Sequence, residues 1–508
     1  VLVIDNAAGS GVVIDGEPLL AALVRAAGQV LDRATLSDRV WLIAADGVAR
    51  AGTAAELHRH LAVLRTQPVR LDLGRAIGAG RDLIRSSKRP GQVVVVSGLQ
   101  RSTLGAARGD GNLLVVRATG APPANRGIMT LSAGLQPWSA AGGRVSITIV
   151  SSDTAPVPVT LSVGSLALRD VLVMPGAVSV QRIGPEPPGW LVVTATLPPD
   201  EFRLDDARSI AVRVAPPVAV RWDSSDRYID AAARVLAADG RIRAGDGVQL
   251  GRLGPGPGIV MPPSDPALVG ALNRSLAARG IGWHFGSMIV QSAQIDSGST
   301  LPAPQALSKR YALERGDGSG EVLATVGGAP WLVHAGNLLL LGSRLDPSWT
   351  ALPLSASFVP FVDAMLTSTL AGTAIVSDAI AGDPLRLPDG VTAVAHDSGR
   401  APVATRSEWT PRATGVFHLL SGTDTLGAVS VRLDPRESDL SRATDRDVRA
   451  LWPGAIVAGL RDGPALTFGA GGRSDLRGAL LALALLCALA ETVLAGRVPA
   501  RSSGRSRN

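Results

Sequence analysis

A chain of 508 residues, 46% hydrophobic and 18% charged, is too apolar to stay disordered and too often interrupted by charge to be a multi-span transporter; its length suits three or four domains. The net charge of +7 is almost wholly arginine, Lys88 and Lys309 being the two lysines, yet the arginines run through every segment and aromatic residues reach only 3%. A nucleic-acid interface needs clustered cations interleaved with rings, so no nucleic-acid partner is expected. The single cysteine, Cys487, excludes an intrachain disulfide and a cysteine metal cluster.

Residues 1–120 alternate short apolar runs (Val1–Ile4, Val40–Ala44, Val93–Val96, Leu113–Val116) with helical spacing over Pro18–Arg33, Thr53–Leu64 and Leu73–Arg85, which predicts a doubly wound parallel sheet. An apolar strand at Val1 implies that something precedes the chain. Over 121–217 the texture becomes alternating, as in Val145–Ile149 and Leu191–Thr196, and predicts a β-sandwich bounded by Pro216-Pro217. Helical patterns return over 218–372, at Ile229–Ala237 and Pro266–Arg279 between strands Gly258–Met261 and Leu338–Leu341, predicting a second α/β domain. Residues 373–472, with strands at Gly415–Leu420 and Ala428–Leu433, read as a membrane-proximal β-rich region.

From 478 to 496 only Glu491 is charged. At about 1.5 Å per residue such a helix is roughly 28 Å long, enough to span a bilayer. The basic tail 497–508, with Arg497, Arg501, Arg505 and Arg507, is then expected in the cytoplasm and the main domains outside it.

Asp5-Asn6-Ala7-Ala8-Gly9-Ser10 ends the first strand, where ligands of parallel sheets bind. Together with the Val93–Gln100 run ending Ser97-Gly98-Leu99-Gln100, this order resembles a von Willebrand factor A domain. That resemblance implies a divalent metal held by an Asp-x-Ser-x-Ser turn, a threonine on a second loop and an aspartate after a later strand. Here Asp5 stands but Ala7 and Gly9 replace the serines, Ser97-Gly98 replaces Ser-Asp, and the loop around Arg70-Leu71-Asp72 offers no threonine. The expectation is a degenerate site with Asp5 as the one retained carboxylate, no cofactor, and weak Mg²⁺ binding at most. Asp5, Ser10, Asp46, Ser97 and Gln100 are its candidate binding residues.

The domain order, Ala490-Glu-Thr-Val-Leu494, Leu352–Pro360 and Leu433–Leu440 are similar to the BatA-like (aerotolerance regulator) proteins, whose third domain resembles class I glutamine amidotransferases. The resemblance implies a bacterial inner-membrane protein with periplasmic domains. It also implies partners among other envelope and von Willebrand A-domain proteins, and an AAA-type ATPase in stress tolerance. The amidotransferase fold needs a cysteine nucleophile, and 218–372 has none, so thiolate chemistry is excluded. His284 and His334 read as structural histidines, His58 and His60 point to different helix faces, and Glu437-Ser438-Asp439 reads as a solvated turn. The expected function is a non-catalytic, membrane-anchored protein-interaction module. The alternative is an envelope hydrolase or transferase using the second α/β domain, marked by a pocket in which His284 or His334 meets a carboxylate.

Overall fold

The computed structural model describes residues 1–109, 112–134, 136–296, 304–317, 319–370, 375–399, 401–468 and 483–490, in two units. The first comprises 1–66, 71–122 and the chain from Ser441. Its six-stranded sheet runs Ile456–Gly459, Leu113–Arg117, Val93–Ser97, Leu2–Ile4, Val40–Ile43, Ala49–Gly52. All neighbours are parallel except the last pair.

Strand alternation explains why these runs are apolar throughout. Leu2, Ile4, Val94, Val96, Leu114 and Val116 pack with helices Leu19–Leu31 and Ala54–Ala62. Val3, Val93, Val95, Leu113 and Val115 pack with Leu73, Ala76 and Ile77 of helix Leu73–Ser87 and with Val448 and Trp452. Both faces are covered, so the strand interiors are apolar and polar residues come at the strand ends, as at Ser97 and Arg117. Local signals fix the ends: Thr53 and Glu56 form a capping box on the second helix, and Asp72 caps the third.

The expected region 373–472 divides. From Ser441 the chain rejoins the first unit, adds helix Asp445–Leu451, capped by Thr444 and Asp447, and then the edge strand Ile456–Gly459 beside Leu114–Arg117. A non-local parallel pairing leaves no mark in either short segment, which is why the sequence placed these residues with their neighbours.

The second unit holds the remaining described residues. A four-stranded sheet (Leu166–Val173, Val157–Val163, Gly189–Thr196, Ala207–Val214) and a three-stranded sheet (Ser179–Ile183, Gly143–Ser151, Arg126–Ser132) enclose Val145, Ile147, Val159, Leu161, Val193 and Val212. A nine-stranded mixed sheet follows. Ile242–Ala244, Val218–Trp222, Val248–Gly251, Gly258–Val260 and Leu338–Leu341 are parallel, and it continues through the antiparallel strands Ala329–Ala335, Glu321–Val326, Trp283–Ile295 and Gln305–Arg315. A five-stranded sheet containing Ile375–Ile380, Asp424–Arg432 and Gly415–Ser421 completes the unit. Its Ser430 Oγ accepts the Ala211 N–H at 2.9 Å, which fixes it to the sandwich.

Of the expected span 478–496, residues 483–490 are described. They are helical, and Leu483, Leu485, Leu486 and Leu489 are exposed. The rest of the span and the tail 497–508 lie outside the described residues. Among the described residues, no helix is long and apolar enough to cross a membrane.

Candidate functional site

Because Leu2–Ile4 lies between Val93–Ser97 and Val40–Ile43, the residues after each strand meet at one sheet edge. Asp5 and Ser97 come together there: the Ser97 hydroxyl donates to Asp5 Oδ2 at 2.5 Å, and the Ala7 N–H donates to Oδ1 at 3.1 Å. The same Ser97 oxygen accepts the Leu99 N–H at 2.9 Å. Burial pushes the Asp5 carboxyl above its ordinary value, against the Ser97 and Ala7 hydrogen bonds.

The neighbouring polar groups also turn inward. Asn6 donates to the Arg65 carbonyl and accepts the Ala45 N–H, both at 2.8 Å. Ser10 Oγ donates to the Ala7 carbonyl at 2.7 Å and lies 3.4 Å from the Thr66 hydroxyl. Thr66 widens the expectation, which looks for a threonine only around Arg70-Leu71-Asp72: it stands earlier in the same loop, after helix Ala54–Ala62.

Asp46 is paired with Arg50 at 2.5 Å. Gln100 bridges Arg442 in an antiparallel pair, and the flanking backbone is closed by Arg101 N–H to Ser441 O at 2.8 Å and Ala443 N–H to Leu99 O at 2.9 Å. Asp5, Ser10, Ser97 and Gln100 are all buried. Among the described residues, the expected recognition edge is exposed at Gly47 and Val48 and partly exposed at Gly9 and Asp46.

A divalent ion of the implied kind needs several free oxygen donors, at least one of them a carboxylate. Both Asp5 oxygens are already hydrogen-bonded, Asn6 is committed to backbone, and among the described residues no three His, Cys, Asp or Glu side chains gather as a metal site. The residues present do not fit a resident metal. Replacing Asp5 by Ala is expected to cost about 1–3 kcal/mol through the groups it leaves unpaired, whereas Asp5→Asn stays within about 1 kcal/mol, since an amide can accept from Ala7 and donate to Ser97. Urea denaturation of both variants at pH 7 measures the difference.

A second edge lies in the other unit. Strands Val218–Trp222, Val248–Gly251 and Gly258–Val260 end at a cavity of about 610 Å³, beside the start of helix Arg227–Ala238, whose cap is Asp226. Its charges neutralise one another: Arg252 pairs with Asp223, and Arg344 lies 3.4 Å from Asp226 and 3.5 Å from Asp346. The hydroxyl and N–H of Ser225, with Arg252 adding to them, hold Asp223 below the usual carboxylate range. Among the described residues, neither histidine nor cysteine lines this cavity.

His284 does meet a carboxylate, Glu314, at 3.2 Å, but across an exposed antiparallel hairpin and away from the cavity. His334 faces Glu321 in register, and His58 pairs with Asp32 at 2.9 Å. The expected solvated turn at 437–439 is corrected at Glu437, while Asp439 is exposed. Glu437 is fully buried, and Asp434 beside it accepts from Arg436 at 2.6 Å and pairs with Arg70 at 3.2 Å. Such burial of two acids marks a structural knot.

No family model and no curated protein matches the chain. Among solved structures, the crystal structure of an engineered protein is similar at 14% identity over 24% of this chain and 24% of its own, with a TM-score of 0.14. So slight a likeness carries no argument about fold or function.

Proposed function

We propose that the chain is a non-catalytic protein-interaction module of the bacterial envelope, of BatA-like type, whose first unit is a von Willebrand A-like domain with a closed, metal-free adhesion site. The observation that carries this reading is the Asp5 carboxylate, buried and held by Ser97 and Ala7 at the position where an active member of that class would hold its ion. The strand order, with one antiparallel edge strand, supports the same reading. The exposed leucines of 483–490 are consistent with an anchor in lipid, the remaining domains being periplasmic. Partners are then envelope proteins, including other von Willebrand A-domain proteins and an AAA-type ATPase system, recognised without a metal bridge.

Calorimetric titration of Mg²⁺ and Mn²⁺ into the chain tests it. No saturable heat up to about 1 mM is expected, and partner capture from membranes should be unchanged by chelator. Binding tighter than about 100 μM, roughly 5.5 kcal/mol, that disappears in Asp5→Ala would overturn it. The hydrolase or transferase alternative has one observation in its favour, the cavity of about 610 Å³ at the ends of parallel strands. Turnover of an ester or amide lost on Arg344→Ala would establish that alternative.

A further inference from the structure

Arg208 and Arg432 line a cavity of about 260 Å³ in the second unit, walled by Ile128, Met129, Leu204 and Leu433. They come from strands Ala207–Val214 and Asp424–Arg432, which the Ala211 to Ser430 hydrogen bond holds together. The Arg208 guanidinium donates to the Met129 carbonyl. Neither arginine has a carboxylate within ion-pair distance among the described residues. Burial, and then the charge of Arg432, pulls Arg208 down to about 10, so it is still a cation at neutral pH. Two arginines lining one partly desolvated pocket repel each other, an arrangement that a bound anion relieves.

The other charged groups do not supply that anion. Asp434 is held by Arg436 and Arg70. Burial pushes Asp205 up to about 7, which leaves it largely uncharged below neutrality. Asp378 attracts Arg208 from an exposed position on the adjoining strand. His396 hydrogen-bonds Ser398 and the Thr414 carbonyl.

We propose that this cavity binds a small organic anion, a carboxylate or phosphate on a short apolar stem, with Arg208 and Arg432 gripping the charged end and Ile128, Met129, Leu204 and Leu433 receiving the stem. The site is independent of the sheet-edge reading of the first unit. The fork of a guanidinium matches both oxyanions, and the cavity suits a ligand of few heavy atoms.

The test is calorimetric titration of the whole chain with hexyl phosphate and with hexanoate at pH 6, alongside sedimentation with phosphatidylglycerol vesicles. The expected result is a Kd below about 1 mM for a soluble probe, or vesicle binding if the anion is a lipid headgroup. In either arm, Arg432→Gln weakens binding at least about tenfold, Arg432→Lys recovers part of it, and Asp378→Asn, an exposed change, strengthens it. No saturable binding in any arm, or binding indifferent to Arg432→Gln in a variant with unchanged circular dichroism, overturns the proposal.

Discussion

Raising the pH from about 4 to about 8 is expected to cost the second unit on the order of 4 kcal/mol through Asp205 alone, and Asp205→Asn is expected to remove that part of the slope. Asp205 is 5% exposed, and one of its oxygens, Oδ1, has no hydrogen-bond partner. Burial pushes its pKa up to about 7; the Ser438 hydroxyl and the Asn125 amide act against that, while Asp200 and Asp206 add like charge. Asp206, also buried with Oδ1 unpartnered, is pushed up to about 6 by burial and then by Asp200.

In the unfolded chain both carboxyls lose their protons near 3.8. Between there and about 7 the folded state keeps a proton that the unfolded state has lost, so the contribution of these two groups to stability is greatest below 3.8 and falls as pH climbs through this window. About three pH units at about 1.4 kcal/mol each give the magnitude for Asp205. Hydrogen exchange at the Ile128 and Leu197 amides, which donate to the Asp205 and Asp206 carbonyls, reads this opening directly once intrinsic rates are divided out. Protection that does not change between pH 5 and pH 8 would refute the assignment.

Trp452→Ala is expected to destabilise the first unit by about 3–5 kcal/mol. Trp452 is 2% exposed and packs in the same cluster as Val3, Ile77, Val95 and Val115, beneath the central strands. The loss leaves a cavity between the sheet and helix Asp445–Leu451, and the edge strand Ile456–Gly459 loses the support that orients it. A denaturation series followed by near-ultraviolet circular dichroism measures the effect. A change below about 1 kcal/mol would mean that the returning segment is an appendage and no part of this core.

The parallel core was legible because its physical cause is local. Val93–Val96 and Leu113–Val116 are apolar at every position since helices cover both faces, and Thr53 with Glu56 announces a helix start in four residues. The antiparallel strands Trp283–Ile295 and Gln305–Arg315 were not legible. Bulges between Phe285 and Met288 and between Val290 and Ala293 break the period-two pattern on which a strand is recognised.

At the first sheet edge, strand ends located Asp5 and Ser97, but no one-dimensional pattern says that one hydroxyl will seal the other's carboxylate. Thr66 lies four residues before Arg70, at the other end of the loop from where a threonine is sought. Arg208 and Arg432 sit on strands far apart in the chain, each an ordinary strand arginine until the fold brings them to the lining of one cavity.

The first unit cannot be finished in the order in which it is made. Arg117 donates to the Ala443 carbonyl across 326 positions, so at about 5–20 residues per second a ribosome works for roughly 16–65 seconds between the two partners. Throughout that interval the strand Leu113–Arg117 has an open edge and the face around Val3 and Val95 lacks its tryptophan. A nascent chain in this state presents a pairing template to anything nearby, and a holding chaperone, or slowed initiation that keeps neighbouring ribosomes apart, is what its biosynthesis most needs.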